Sequence, residues 1–412
     1  MIDEQRTKVV MSTSPARSLP AWLILLFVAM LALGTDEFVI SGILPAVADD
    51  LEVTAGQAGY LVTAFALAFC LGSPILAVIT DRINKKRILI WGLLIFALAN
   101  AFMVVVDLFW LALVLRVAAG LAAAAASPTA MAIAGGAAPD GQQGRYLAVA
   151  TSGLTVALFT GVPAGALIGD LYSWRATFGL IAVVAALAAV AVAAFAPSVA
   201  GGDRVGLATR LTPVHNPHIM ALVGAMFLCG TGGLMFYSYL GAVFETKLDG
   251  TSGQVTAALL LVGIVGVAAV FFGGTLTDKT NPRTARAVIV GGHALALLAL
   301  AVLLTAATTV TPALFVTIGI WSIFAWALSP AIQAGIMAID PQRAMLALAL
   351  GISGLYGGSA LGAAIGGYLL DNHSASAIPF VGAAVVALAW LLTLPSARDT
   401  GTTTSSDMAL HH

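Results

Sequence analysis

Residues 31–45 read LALGTDEFVISGILP. Two adjacent carboxylates, Asp36 and Glu37, stand inside an apolar run that extends from Ala21 to Leu44, and ~20 apolar residues suffice for a helix to cross a bilayer. A charged side chain at the bilayer centre costs about 3 kcal/mol on insertion scales, so such a group lines a polar cavity or pairs with a counter-charge. The stretch therefore predicts a transmembrane helix with a buried polar site, and it raises the question of what the two acids meet.

The rest of the chain has the same character. Of 412 residues, 60% are hydrophobic and 9% are charged, with a mean hydropathy of +1.01. A water-soluble surface needs about 25% charged residues, so this composition excludes a soluble globular protein. The charges fall in short islands between long apolar blocks, the pattern of a polytopic helical membrane protein. Twelve spans are predicted, near 21–44, 57–79, 88–106, 110–136, 146–169, 174–196, 219–244, 254–276, 287–309, 311–338, 344–370 and 378–396. The longest polar connection, 197–218, divides six helices from six. This gives an N-terminal segment 1–20, a first bundle 21–196, a linker 197–218, a second bundle 219–396 and a disordered tail 397–412.

With both termini cytoplasmic, all but Arg116, Arg175 and Lys247 of the 18 Lys and Arg residues lie on the inner side. The excess of basic residues in cytoplasmic loops selects that orientation. A net charge of −1 offers no nucleic-acid partner. Cys70 and Cys229 lie in apolar segments and read as packing residues. There is no G-x-x-x-x-G-K-S/T loop to bind ATP, and neither H-E-x-x-H nor G-x-S-x-G to suggest an enzyme.

The halves repeat each other. ITDRINKKR follows span two and LTDKTNPR follows span eight, with Asp81 and Asp278 in matching places. Spans four and ten carry Ser127-Pro128 and Ser329-Pro330. SGLTVALFTGVPAGALIGD (152–170) aligns without gaps to SGLYGGSALGAAIGGYLLD (353–371). Repeats of this kind are common in transporter folds.

Within the spans the charged or imidazole side chains are Asp36, Glu37, Arg116 and His293. At 1.5 Å per residue the acids lie about 11–12 Å below the outer end of span one, and Arg116 about 9 Å below the same side in span four. The three groups are thus at similar heights. Asp36 and Glu37 are roughly 100° apart around a helix, so one faces a cavity and the other a helix interface or Arg116. Two acids near one cation make a site where one acid binds and releases a proton, with a static charge pair as the alternative. His293 reads as a hydrogen-bonded structural residue.

Twelve spans in two halves, with AVITDRINKKR (77–87) after the second, resemble the major facilitator superfamily across essentially the whole chain. RVAAG (116–120) and GVPAG (161–165) are similar to motifs of its twelve-helix drug:proton antiporter branch. GTDEF in span one and WRATF (174–178) are similar to sugar-efflux, arabinose-efflux-like and phenicol exporters. Two positions depart from the pattern: Ala77 replaces a Gly that Gly274 keeps in the second copy, and Asp36 stands where Ser or Thr is usual.

The resemblance implies two six-helix bundles around a central cavity lined by spans one and four, with Glu37, Asp36 and Arg116 as the proton-coupling site. It implies gating roles for Asp81, Arg82, Lys85, Lys86 and Arg87, and for Gly120, Gly153, Gly161, Pro163, Gly165, Gly274 and Asp278. Aromatics with a few polar groups suit an amphipathic substrate, which makes Phe236, Tyr237, Tyr239, Trp321, Phe324 and Gln333 candidate substrate contacts. The expected activity is proton-coupled export of a small drug or sugar-like metabolite by an inner-membrane antiporter, monomeric and without a bound cofactor. Proton-coupled uptake is the alternative within transport, and a transporter-like sensor or lipid-handling protein is the alternative outside it.

Overall fold

Apolar runs free of interior charge satisfy their backbone polar groups as helices, and the computed structural model, which describes residues 19–139, 142–201, 212–280, 282–339 and 344–394, holds helices and their connections with no strand among those residues. Eleven helices are long and apolar enough to cross a membrane, and a twelfth has 17 residues. They are α1 (Ala21–Asp50), α2 (Ala55–Ile79), α3 (Lys85–Met103), α4 (Phe109–Gly136), α5 (Arg145–Leu171) and α6 (Trp174–Phe195) in the first half. The second half holds α7 (Pro217–Ser238), α8 (Ser252–Lys279), α9 (Pro282–Ala306), α10 (Pro312–Ile339), α11 (Ala344–Asn372) and α12 (Ala377–Thr393). Of the expected terminal and linker segments, residues 1–18, 202–211 and 395–412 lie outside the described residues, with Arg6, Lys8, Arg17, Arg204, Arg210 and Arg398, as does Arg343.

Helix starts follow local chemistry. Thr54 and Thr251 each open a helix with a capping box, answered by Gln57 and Gln254, so that two orphan N–H groups are satisfied reciprocally. Asn84, Ser173 and Asn216 cap α3, α6 and α7.

The ends correct the sequence expectation at α1 and at α7, which stops at Ser238 instead of running to 244, with a short helix, Leu240–Leu248, after Tyr239. Helix α1 does not stop near Leu44 but runs on through Pro45 to Asp50. A proline removes one helical hydrogen bond, to the carbonyl four residues earlier. Here that carbonyl belongs to Ser41, and Gly241 of the short helix Leu240–Leu248 packs so close that a Cβ on it would lie 2.6 Å from the Ser41 oxygen. The helix end expected near Leu44 is instead a crossing point between the halves.

Each half has its own buried core. In the first, α1 packs on α5 and α6, and α4 on α2 and α3. In the second, α7 packs on α11 and α12, and α10 on α8 and α9. The halves meet where α11 lies along α2 and where α8 lies against α5. We call the face holding the start of α1 the near face and the opposite one the far face.

On the far face Arg175 ties the first half together: it pairs with Asp50 and with Asp107 (2.8 Å) and donates to the Val106 carbonyl (2.7 Å), while Trp174 Nε1 donates to Asp50 (3.1 Å). The first two residues of the WRATF stretch thus join the ends of α1, α3 and α6.

Candidate functional site

The face of α1 that carries Asp36 is turned into the first half, and Asp36 is fully buried. Arg116 of α4 meets it there: one guanidinium nitrogen, Nη1, lies 2.9 Å and 2.8 Å from the two carboxylate oxygens. Nε of Arg116 donates to the Leu61 carbonyl at 3.3 Å, and the guanidinium lies over the Phe65 ring at 4.5 Å. Nη2 has no hydrogen-bond partner among the described residues. The buried Asp36 carboxylate needs this counter-charge, since an unpaired buried charge is strongly destabilising.

Gly120 lies one turn along α4 on the same face, where a Cβ would sit 2.4 Å from the Phe65 carbonyl oxygen. The R-x-x-x-G spacing therefore does two things on one helix face. The small residue brings α4 against α2, and that approach seats Arg116 beside Asp36.

Glu37, about 100° further round α1, is half-buried and turned toward the second half. It accepts a 2.6 Å hydrogen bond from the Tyr356 hydroxyl of α11. A cavity of ≈ 20 Å³ opens beside it, lined by Glu37, Phe38, Ser41, Phe65, Tyr237, Ser238, Tyr356 and Ser359 together with aliphatic side chains. That is room for about one water. Phe38 makes edge contacts with Tyr237 (5.7 Å) and Trp326 (5.6 Å), so aromatic rings from both halves enclose the site.

The structure thus divides the acids: Asp36 meets Arg116, and Glu37 meets the cavity and the opposite half. The sequence left this division open.

The small residues of α5 face the acid-bearing helix. A Cβ on Gly153 would lie 2.3 Å from the Phe27 carbonyl oxygen, one on Gly161 would lie within 1.9 Å of Thr35 Oγ1, and one on Gly165 would lie 2.5 Å from Val39 Cγ2. Residues Ala157–Gly161 form a π-helical turn directly before Pro163, an insertion that accommodates a proline's missing hydrogen bond. Gly263 of α8 sits against this turn, with a Cβ placed 2.3 Å from the Leu158 carbonyl oxygen. The GVPAG segment is therefore held between α1 of its own half and α8 of the other.

The loop after α2 lies on the near face. Asp81 is buried, Arg82 and Arg87 are exposed, and Lys85 Nζ donates to the Asp81 carbonyl at 3.3 Å. The start of the inter-half connection packs onto it: Asn84 Nδ2 donates to Ser198 Oγ (2.7 Å) and the Lys85 N–H to the Val199 carbonyl (2.9 Å). Lys86 follows in the first turn of α3, where its N–H is capped by Asn84. In the second copy Gly274 has open space around it, and Asp278 lies on α8 with its side chain outside the described residues.

Of the expected substrate contacts, Tyr237 lines the cavity. Phe236 and Trp321 pack on each other inside the second half (5.2 Å), and Tyr239 is fully buried, donating to the Ala363 carbonyl (2.7 Å). Phe324 fills space beside Gly292 of α9, and Gln333 donates to Ser329 one turn away. These five take part in packing or bonding within the second half and do not line the cavity beside Glu37. His293 accepts a 3.2 Å hydrogen bond from Trp321 Nε1.

Tyr356, Phe38, Phe65, Ser41 and Ser359 were not among the sequence candidates. The one available signal was Tyr356 itself, a phenol among small residues in SGLYGGSALGAAIGG.

A chain whose described residues form eleven helices long and apolar enough to cross a membrane and a shorter twelfth, in two packed halves with an ion pair buried beside a seam cavity, is a multi-pass membrane protein of the transporter type. The family model for the major facilitator superfamily matches residues 26–338, and the chain belongs to that family. It is 30% identical over 372 residues to the uncharacterized MFS-type transporter YbcL of Bacillus subtilis, covering 90% of this chain and 94% of that protein. It is 36% identical over 294 residues to a chloramphenicol resistance protein of Streptomyces lividans, covering 68% and 74%. A probable sugar efflux transporter of Helicobacter acinonychis is 27% identical over 360 residues, covering 86% and 90%. A bacterial homologue of the human lysosomal transporter Spinster shares the fold, with a TM-score of 0.68 at 18% identity, over 90% of this chain and 93% of that one.

Proposed function

We propose that the chain is a proton-coupled antiporter that exports a small organic compound across the inner membrane, with both termini cytoplasmic and the far face outward. The observation that carries this reading is the contrast between the acids: Asp36 is matched by Arg116, whereas the Glu37 carboxylate faces a seam cavity and, among the described residues, has a neutral phenol as its one hydrogen-bond partner.

Moving an unmatched carboxylate through an apolar passage is costly, and a proton removes the charge. Glu37 therefore takes up a proton when the cavity opens outward and releases it when the cavity opens inward. The neutral acid leaves the seam free to close without a buried charge. The ionised acid favours loading of a substrate that offers hydrogen-bond donors. Asp36 and Arg116 hold α1 and α4 in register through the cycle. The aromatic walls suit an amphipathic molecule, and relatives named for chloramphenicol resistance and sugar efflux support an exported organic substrate. The cycle runs on the proton gradient, in one polypeptide, with no bound cofactor.

Purified protein in liposomes, given chloramphenicol and a set of sugars, cationic dyes and nucleosides under an imposed pH gradient, tests this. Export predicts that compound accumulates on the acidic side. Accumulation on the alkaline side would mean uptake, and pH-independent flux would remove the coupling.

A further inference from the structure

We propose that Tyr356 is a positioning residue for Glu37, through which the second half senses whether that acid carries a proton; this rests on the reading that Glu37 is the coupling acid. Three observations place it. The Tyr356 hydroxyl supplies the one hydrogen bond to Glu37 among the described residues, at 2.6 Å. Its ring stacks on Phe69 of α2, with centroids 3.8 Å apart and planes 17° from parallel, so the phenol is aimed by the half it reaches into. Its own helix is fixed from behind: a Cβ at Gly358 would lie 2.0 Å from the Phe227 carbonyl oxygen of α7. Tyr356 is thus anchored in one half and bonded in the other.

The charged and titratable groups around Glu37 are Asp36 on its own helix, Arg116 from α4, Tyr237 from α7 and Tyr356 from α11. Arg116 is already engaged by Asp36, at 2.8 Å. A carboxylate only accepts hydrogen bonds, and a hydrogen bond to a charged acceptor is about twice as strong as a neutral one. When a proton from water adds to Glu37, the acid acquires its own donor and the bond from Tyr356 loses its charge assistance. The phenol keeps its proton throughout. The tie between α1 and α11 is therefore strong with Glu37 ionised and weak with it protonated.

The test needs no substrate. Spin labels at Tyr172→Cys and His373→Cys, both exposed on the far face in opposite halves, report the separation of the halves in lipid bilayers. Acidification is expected to change the distance distribution, and Tyr356→Phe, which keeps the ring on Phe69, should abolish that response, as should Glu37→Gln. A wild-type response in Tyr356→Phe overturns this inference alone. A wild-type response in Glu37→Gln overturns the coupling role of Glu37, and this inference with it. No response in the parent protein also overturns the inference. An infrared difference spectrum gives a second readout: the protonated Glu37 carbonyl band, identified by its loss in Glu37→Gln, should move to higher frequency in Tyr356→Phe, and an unmoved band contradicts the proposal.

Discussion

Arg116 is the residue on which the first half's interior electrostatics turn. Its partner Asp36 is fully buried, so Arg116→Met leaves a carboxylate without a counter-charge in the interior. Breaking a buried pair from one side costs about 3–5 kcal/mol, whereas replacing both members with apolar groups is often neutral. Arg116→Met is therefore expected to lower the thermal unfolding midpoint of the detergent-solubilised protein strongly, and Asp36→Leu with Arg116→Met to recover most of it. Equal midpoints for the single and double variants would show that the pair is not what the charge requires. At this scale the sequence was half informative. Helix rise placed Asp36 and Arg116 at one height, and the angle between successive residues separated the acids. Which acid turned inward depends on the packing of α1 against α4 and α11, which no local pattern encodes.

Among the helices, α2 and α11 bring the two halves together at the far face. The Asp371 carboxylate at the end of α11 accepts hydrogen bonds from Thr54 Oγ1 (2.5 Å) and the Gly56 N–H (3.0 Å), at the N-terminus of α2. Free N–H groups and the helix dipole favour an anion there. The approach requires a glycine: a Cβ on Gly56 would lie 2.3 Å from Asp371 Oδ2 and 2.4 Å from the Gly367 carbonyl oxygen, and the latter is backbone that cannot turn aside. Gly56→Ala is expected to push the helices apart and lengthen the far-face spin-label distance, without unfolding either half. An unchanged distance would mean the contact is looser than described.

Helix extents were largely legible, because apolar length is a strong signal and the caps sit where Thr, Asn and Ser precede apolar runs. The continuation of α1 through Pro45 was not. It depends on Gly241 of the other half packing against the carbonyl that the proline leaves free.

For the molecule as a whole, the division into two repeated halves was written in the Asp81 and Asp278 loops and in the glycine-rich stretches of α5 and α11. The cavity lining was not. In helices that are apolar on every side, an aromatic facing the seam and one facing its own bundle have the same sequence surroundings. Phe236 and Tyr237 are neighbours, yet Phe236 packs on Trp321 while Tyr237 lines the cavity.

The central claim is that Glu37 binds the coupled proton while Asp36 serves the fold. Liposomes loaded with a transported compound separate two activities, net flux driven by a pH gradient and one-for-one exchange of labelled for unlabelled compound. Exchange moves no net proton, and a carboxamide stands in for the protonated acid. The account predicts that Glu37→Gln loses gradient-driven flux, and that exchange weakens with it because the substrate loads on the ionised acid. Gradient-driven flux that survives in Glu37→Gln would contradict it.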